Sequence, residues 1–155
     1  MFSSLESANA LHGHRFLDLY AGSGAIGLEA ASRGAAHVML VESDSKAARV
    51  IRENVALLGA ARVATISAGK VATTLAGGPI GEAYDVVFAD PPYAVAEEEI
   101  TSMLAALVDH GWLAPGAIVV IERSKRSPEP SWVEGITLDR SRRYGETVLW
   151  YGRRS

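Results

Sequence analysis

The sequence RFLDLYAGSGAIG, at residues 15–27, passes from a short apolar run directly into three closely spaced glycines. Such a run is typical of a buried strand, and the residues around the last glycine favour a helix. Glycines at this junction let the backbone turn sharply and approach a ligand closely, while the first turn of the helix offers free N–H groups. The stretch therefore predicts a strand, a ligand-binding loop and a helix in an α/β fold.

The rest of the chain repeats this alternation of apolar runs and helical stretches. Further strands are predicted at 37–41, 62–67, 84–89 and 117–121, with helices between them. Two last strands, at 136–143 and 146–151, are joined tightly around Tyr144 and Gly145 and predict an antiparallel hairpin. We therefore predict a single domain over residues 1–155, with helices on both faces of a seven-stranded, mostly parallel sheet.

Composition restricts the class of protein. Apolar residues make up 48% of the chain and charged residues 21%, which is typical of a globular protein with a sizeable core. The absence of cysteine excludes disulfides and thiolate sites, and the scattered histidines predict no metal site. No apolar run reaches the ~20 residues that a membrane-spanning helix needs. We expect a cytoplasmic protein without membrane contact and, since nothing demands an oligomer, a monomer.

Charge is unevenly distributed along the chain. Residues 1–122 carry 7 Lys and Arg against 14 Asp and Glu, whereas residues 123–155 carry 8 against 4. A basic C-terminal region is consistent with a surface that faces phosphate, and equally with a solvated surface of scattered arginines. The side chains that could contact phosphate are Arg123, Lys125, Arg126, Arg142 and Arg143.

A nucleoside cofactor is predicted at the glycine loop. Gly22, Gly24 and Gly27 form the pattern G-x-G-x-x-G, and Glu42 follows the next strand, where its carboxylate can accept both ribose hydroxyls. Because dinucleotide enzymes use the same spacing, a nicotinamide-dependent oxidoreductase stays open as an alternative. Asp18 can hold the loop or accept from a cationic amino-acid tail, which favours S-adenosylmethionine, since a pyrophosphate would be repelled.

The fourth predicted strand ends in the tetrapeptide Asp90-Pro91-Pro92-Tyr93. Two successive prolines fix their φ angles and remove two N–H donors, and Asp90 before them is driven to an extended conformation. The result is a rigid ledge at the carboxyl edge of the sheet, with a carboxylate, free carbonyls and the aromatic ring of Tyr93. Acceptors that bind both hydrogens of a planar amine free its lone pair for methyl transfer, and an aromatic ring can stack the base.

Several stretches together resemble the RsmD-type bacterial enzymes, which are class I methyltransferases with a Rossmann-like fold. The resemblance lies in Phe16–Ala35, Val41–Asp44, Ala89–Tyr93, Gly111–Leu113 and Tyr144–Leu149. It implies transfer of a methyl group from S-adenosylmethionine to the N2 amine of a guanine in 16S ribosomal RNA, either free or in the small-subunit particle. Another nucleic-acid amine or a glutamine amide is an alternative target, since (Asn/Asp)-Pro-Pro-(Tyr/Phe) serves those substrates too.

The resemblance also implies roles for individual residues. Asp90 and the carbonyl of Pro91 would bind the target amine, with Pro92 shaping the ledge and Tyr93 stacking the base. The residues expected to bind the cofactor are Asp18, Tyr20, Gly22, Ser23, Gly24, Glu42, Ser43, Gly69 and Lys70.

Two departures from the family pattern qualify these expectations. The sequence Ala68-Gly69-Lys70-Val71 offers no acid or Asn after the third strand, so backbone groups and apolar packing would recognise the adenine. The resemblance implies a basic N-terminal extension before the segment that Phe2–Leu5 matches, and we expect this extension to be absent. Since phosphate contacts supply much of the affinity for RNA, a non-catalytic cofactor- or RNA-binding module is a further alternative.

Overall fold

The computed structural model describes every residue from Met1 to Ser155. Five helices and seven strands follow one another along the chain: α1 (Phe2–Ser7), β1 (Arg15–Leu19), α2 (Ala25–Ser32), β2 (His37–Glu42), α3 (Ser45–Leu57), β3 (Ala64–Ala68), α4 (Val71–Ala76), β4 (Tyr84–Ala89), α5 (Glu97–Asp109), β5 (Leu113–Ser124), β6 (Ile136–Tyr144) and β7 (Thr147–Arg154).

The strands form one seven-stranded sheet in the order β3-β2-β1-β4-β5-β7-β6. The first five strands of that order are parallel, and β7 is antiparallel to both of its neighbours, β5 and β6. This arrangement confirms the predicted sheet with its C-terminal hairpin. Because parallel strands share an orientation, the carboxyl ends of β1, β2 and β4 meet at one edge, where open α/β sheets bind ligands.

Both faces of the sheet are covered, as the nearly continuous apolar character of β4 and β5 requires. One apolar cluster joins the sheet to α1, α2 and α3, and a second joins it to α4 and α5. Each cluster takes alternate residues of the central strands: in β5, Ile118 and Val120 face the first cluster, and Val119 and Ile121 face the second. No helix of the structure has the length and apolar character needed to cross a membrane.

The structure differs most from the sequence prediction at two elements, α1 and β5, while the bounds of β3 and β7 shift by one to three residues. The six-residue helix α1 was not predicted, because it has neither a side-chain cap nor an acid in its first turn. Packing stabilises it instead: Leu5 is buried, and the ring of Phe2 lies 6.4 Å from that of Phe16. Strand β5, at Leu113–Ser124, is longer at both ends than the predicted 117–121. Its start was not predicted because Pro115 and Gly116 disfavour a strand, and its end was not predicted because the residues from Glu122 onward are polar.

Candidate active site

The glycine loop leaves β1 through a run of left-handed backbone. Tyr20, Gly22 and Gly24 have φ angles of 57°, 60° and 83°. Glycine adopts this conformation without strain, whereas Tyr20 is one of only two other residues in the chain that do so. Gly24 is the N-cap of α2, so the turn delivers the chain directly into that helix.

Asp18 holds the loop from below. Its side chain is 1% exposed, and one carboxylate oxygen accepts a hydrogen bond of 2.9 Å from the backbone N–H of Gly27. Burial raises the pKa of Asp18 to about 7, and the negative charges of Asp90 and Glu42 act in the same direction. Of the two roles expected for Asp18, the structure shows the first, because this carboxylate lies beneath the loop and not on the cavity described below.

A glycine is needed at position 27 because neighbouring side chains leave no room for a Cβ atom, and not because of its backbone angles. A Cβ atom at this position would lie 2.9 Å from Leu40 Cδ2, 3.0 Å from Val38 Cγ1 and 3.1 Å from Asp18 Oδ2. The third glycine of the loop therefore lets α2 pack closely against β2.

Glu42, at the end of β2, organises the loop from the side. Its carboxylate accepts hydrogen bonds of 2.7 Å from the N–H of Gly22 and 2.8 Å from the N–H of Asp44. The Asn54 side chain on α3 adds a third support, since its Nδ2 donates to the carbonyl of Ser23 at 3.1 Å. Sequence reasoning missed Asn54, because its contact lies 31 positions along the chain from Ser23.

A cavity of about 630 Å³ opens beside this loop at the carboxyl edge of the sheet. Seven of the residues predicted for the site line it: Tyr20, Gly22, Glu42, Ser43, Lys70, Asp90 and Pro92. The sequence did not predict the opposite wall, which α4 and α5 form with apolar side chains that include Val71, Leu75 and Met103.

The cavity is acidic. Glu42, Asp90 and Glu99 line it, against one formal cation, Lys70. Burial and the charge of Glu99 raise the pKa of the Tyr20 phenol to about 12, so its hydroxyl keeps its proton. A cavity of this charge favours a cationic ligand over a pyrophosphate.

Asp90-Pro91-Pro92-Tyr93 forms a ledge that follows β4 directly, and Asp90 and Pro92 of this ledge line the cavity. Pro91 is buried, whereas the ring of Tyr93 is 87% exposed and lies outside the cavity. The carbonyl of Pro92 accepts from the N–H of Val95 at 2.9 Å and closes the turn, while no group in the chain donates to the carbonyl of Pro91. The ledge therefore offers the Asp90 carboxylate and the unpaired Pro91 carbonyl as acceptors beside an exposed aromatic face.

A second carboxyl group lies next to Asp90 on the neighbouring strand. Because Ala89 pairs with Ile121, the following residues, Asp90 and Glu122, stand side by side. Partial burial raises the pKa of both groups, and the pKa of Glu122 is raised further by the charge of Asp90 and by the hydrogen bond that joins the two side chains. The same interaction opposes this rise at Asp90, whose pKa is nevertheless raised because burial has the larger effect. The sequence did not indicate this pair.

Other predicted residues lie around the cavity without lining it. Ser23 and Gly24 belong to the loop beside it, and Gly69 donates its N–H to the carbonyl of Glu42 at 3.1 Å. The candidate phosphate contacts Arg123 and Lys125 are engaged within the protein. Arg123 is buried and forms an ion pair with Glu97 at the start of α5, and Lys125 lies 2.9 Å from Glu146. Arg123 is therefore not one of the side chains available to phosphate, because α5 covers it.

Comparison with known proteins agrees with this geometry. The family model described as Conserved hypothetical protein 95 matches residues 1–153. Ribosomal RNA small subunit methyltransferase D of Escherichia coli (strain K12) is 33% identical over 132 residues, which are 85% of this chain and 64% of that protein. YlbH of Bacillus subtilis is 30% identical over 136 residues, which are 87% of this chain and 73% of YlbH.

A solved structure supports the same relationship. That of yhhF from Escherichia coli superposes with a TM-score of 0.85 and 31% identity, covering 99% of this chain and 83% of that one. The match therefore includes the glycine loop, the ledge and the terminal hairpin. The chain belongs to the Conserved hypothetical protein 95 family, the family of ribosomal RNA small subunit methyltransferase D.

Proposed function

We propose that this chain transfers a methyl group from S-adenosylmethionine to the N2 amine of a guanine in 16S ribosomal RNA, in the cytoplasm. One observation carries the proposal: Asp90 of the Asp90–Tyr93 ledge lines the acidic cavity beside the glycine loop, and the unpaired carbonyl of Pro91 follows it directly in the chain. The name of the Escherichia coli relative supports ribosomal RNA as the substrate. The chain spans less than two thirds of that relative, so the activity of the whole protein is part of the proposal.

The volume of the cavity and its acidic lining support S-adenosylmethionine as the cofactor. When bound, this cofactor supplies an electrophilic methyl group. Glu42 would accept the ribose hydroxyls with the lone pairs that Gly22 and Asp44 leave free. The apolar side chains of Val71 and Leu75 would pack against the adenine, and the acidic lining favours the positive charge of the cofactor.

Asp90 and Pro91 would activate the target nitrogen. The lone pair of an exocyclic amine is delocalised into the base, which makes the nitrogen a poor nucleophile. Accepting one N–H at the Asp90 carboxylate and the other at the Pro91 carbonyl favours a tetrahedral nitrogen and localises the lone pair. Stacking on the exposed ring of Tyr93 would hold the base in line with the methyl group.

Substitution of Asp90 tests this role. We expect Asp90→Ala to lower methyl transfer to a 16S ribosomal RNA transcript, or to small-subunit particles, by at least about a hundredfold. Binding of S-adenosylmethionine, measured by calorimetry, should persist, and Asp109→Ala, at an exposed position on α5, is the matched control. Retained transfer in Asp90→Ala would refute the assignment.

Two further measurements address the alternatives. Calorimetry with NAD in place of S-adenosylmethionine should give no binding, and binding of NAD alone would favour an oxidoreductase. Methylation of a glutamine-containing peptide without methylation of RNA would replace the nucleic-acid substrate with a protein.

A further inference from the structure

A second cavity lies away from the cofactor site, between α1 and the β6–β7 hairpin. This cavity, here the α1 groove, measures about 550 Å³. Three arginines of the hairpin line one wall and three serines of the α1 segment line the other: Arg140, Arg142, Arg153, Ser3, Ser4 and Ser7. Asp139 is the one acidic side chain in the lining, so the groove carries an excess of positive charge and several hydroxyl groups.

The three arginines are free to bind an anion. None of them belongs to an ion pair, in contrast to Arg33, Arg123 and Lys125. The guanidinium of Arg140 lies over the ring of Tyr151 at 4.7 Å, which fixes its position without neutralising its charge. Arg142 is exposed and makes no side-chain hydrogen bond, and Arg153 donates only a long bond of 3.3 Å to the carbonyl of Gly116.

The strand register places the three arginines one after another on the hairpin, with Arg142 nearest to the carboxyl edge of the sheet. Arg153 pairs with Ile118, Arg140 with Tyr151, and Arg142 with Leu149. All three strand partners belong to the apolar cluster on the α1 side, so the arginines share that face of the sheet. Arg140 and Arg142 are successive residues on one face of β6 and are therefore about 7 Å apart, a spacing comparable to that of neighbouring phosphates in an extended single strand, while Arg153 lies on the adjacent strand β7.

The last arginine of the line stands level with the ledge. Leu149 pairs with both Glu122 and Arg142, and Glu122 is the neighbour of Asp90. Three strand spacings separate the strand of Asp90 from that of Arg142, which amounts to about 14 Å. Within the sheet, the cofactor cavity lies toward β1 and β2 on one lateral side of β4, whereas the hairpin strands lie on the other lateral side of β4, beyond β5.

We propose that the α1 groove binds the phosphodiester backbone of the RNA strand that carries the target base, a few nucleotides from that base. This inference rests on the proposed function and adds a location for the substrate. Arginine binds phosphate through a planar set of donors, and the serine hydroxyls supply further hydrogen bonds to phosphate and ribose. The phosphates in the groove fix the register of the strand, while the ledge recognises the base.

The salt dependence of RNA affinity tests the groove. Each phosphate contact to a single strand contributes a slope of about 0.7 in log K against log salt, which is about fivefold in affinity at about 0.1 M salt. We therefore expect Arg140→Gln with Arg142→Gln to weaken filter binding of a 16S ribosomal RNA transcript by about 10- to 30-fold and to reduce the slope by about 1.4. The KM for RNA should rise, with kcat at saturating RNA unchanged.

Matched variants separate this effect from loss of fold. Arg142→Gln alone removes no internal contact and should cost about fivefold. The control, Arg49→Gln with Arg52→Gln, removes the same charge from exposed positions on α3 and should leave affinity unchanged. The midpoint of thermal unfolding of each variant should be close to that of the wild type, which would show that the loss of Arg140 does not unfold the protein.

The outcomes distinguish this inference from the proposed function. Suppose that the wild-type chain methylates the transcript and that the double variant binds it with wild-type affinity and salt dependence. The role of the α1 groove in RNA binding would then be refuted, and the proposed function would stand. Equal losses in the α3 control would also overturn the groove, because net charge alone would explain them. A wild-type chain that neither binds nor methylates RNA would overturn both.

Discussion

The buried carboxyl of Asp18 makes the stability of this protein depend on pH in a direction unusual for an aspartate. The ordinary pKa of the side chain is 3.8, and burial raises it to about 7 in the folded state. Between these values the folded chain keeps a proton that the unfolded chain has lost, so the free energy of unfolding falls as pH rises and stops falling above about pH 7. At about 1.4 kcal/mol for each pH unit, the whole loss is about 4 kcal/mol.

Asp18→Asn removes this dependence and conserves the loop contact. The Asn side-chain oxygen can accept from the N–H of Gly27 as the carboxylate does, but the group stays neutral at every pH. Between about pH 5 and pH 8 we expect the wild-type free energy of unfolding to fall by up to about 3 kcal/mol more than that of the variant.

Urea unfolding followed by tryptophan fluorescence at several pH values measures both curves, and the buried Trp112 reports on the core. Other groups with shifted pKa, such as His37 and Glu122, titrate in both proteins and cancel in the difference between the curves. Parallel curves for the two proteins would refute the account of Asp18 as a buried group that is neutral below about pH 7.

Two further substitutions examine the ledge and the loop. Glu122→Ala removes the hydrogen bond that lowers the pKa of Asp90, so the acid limb of the kcat/KM profile should move to higher pH; Glu122→Gln, which still donates, should leave it in place. An unmoved limb in Glu122→Ala would contradict the pairing. Gly27→Ala should lower the free energy of unfolding by about 1–3 kcal/mol and weaken cofactor binding in calorimetry, because Leu40 Cδ2 would lie 2.9 Å from the new Cβ. Gly77→Ala, where φ is −80° and the nearest atom is 3.6 Å away, is its uncrowded control and should be close to neutral.

The sequence predicted the elements whose signals are local. Strand β4 begins and ends at the predicted residues, since an apolar run is followed directly by two prolines. Helix α5 begins at Glu97, where three consecutive acids occupy the first turn. The short helix α1 escaped prediction because its stability comes from contacts with β1 and β7, which are distant in the chain.

The same distinction applies to the site. The glycine loop, Glu42 and Asp90 could be found because each stands at the end of a strand or directly after one, and therefore reaches the carboxyl edge of the sheet. The wall that α4 and α5 contribute could not, because Leu75 and Met103 occupy ordinary apolar positions of their helices and only their packing shows which of them also face the cavity. Glu122 was missed because only the register between β4 and β5, which the sequence does not show, places it beside Asp90.

The basic C-terminal region shows how the fold changes the meaning of a composition. The excess of arginine and lysine after residue 122 can be counted in the sequence, but the count does not distinguish paired side chains from unpaired ones. In the structure Arg123 and Lys125 are neutralised by Glu97 and Glu146, whereas Arg140 and Arg142 face the α1 groove without an acidic partner. Because alternate residues of β6 face opposite sides of the sheet, Arg143 lies on the other face from its neighbour Arg142. Strand register and ion pairing therefore determine which basic side chains can bind phosphate. The net charge of the region gives only the number of such side chains.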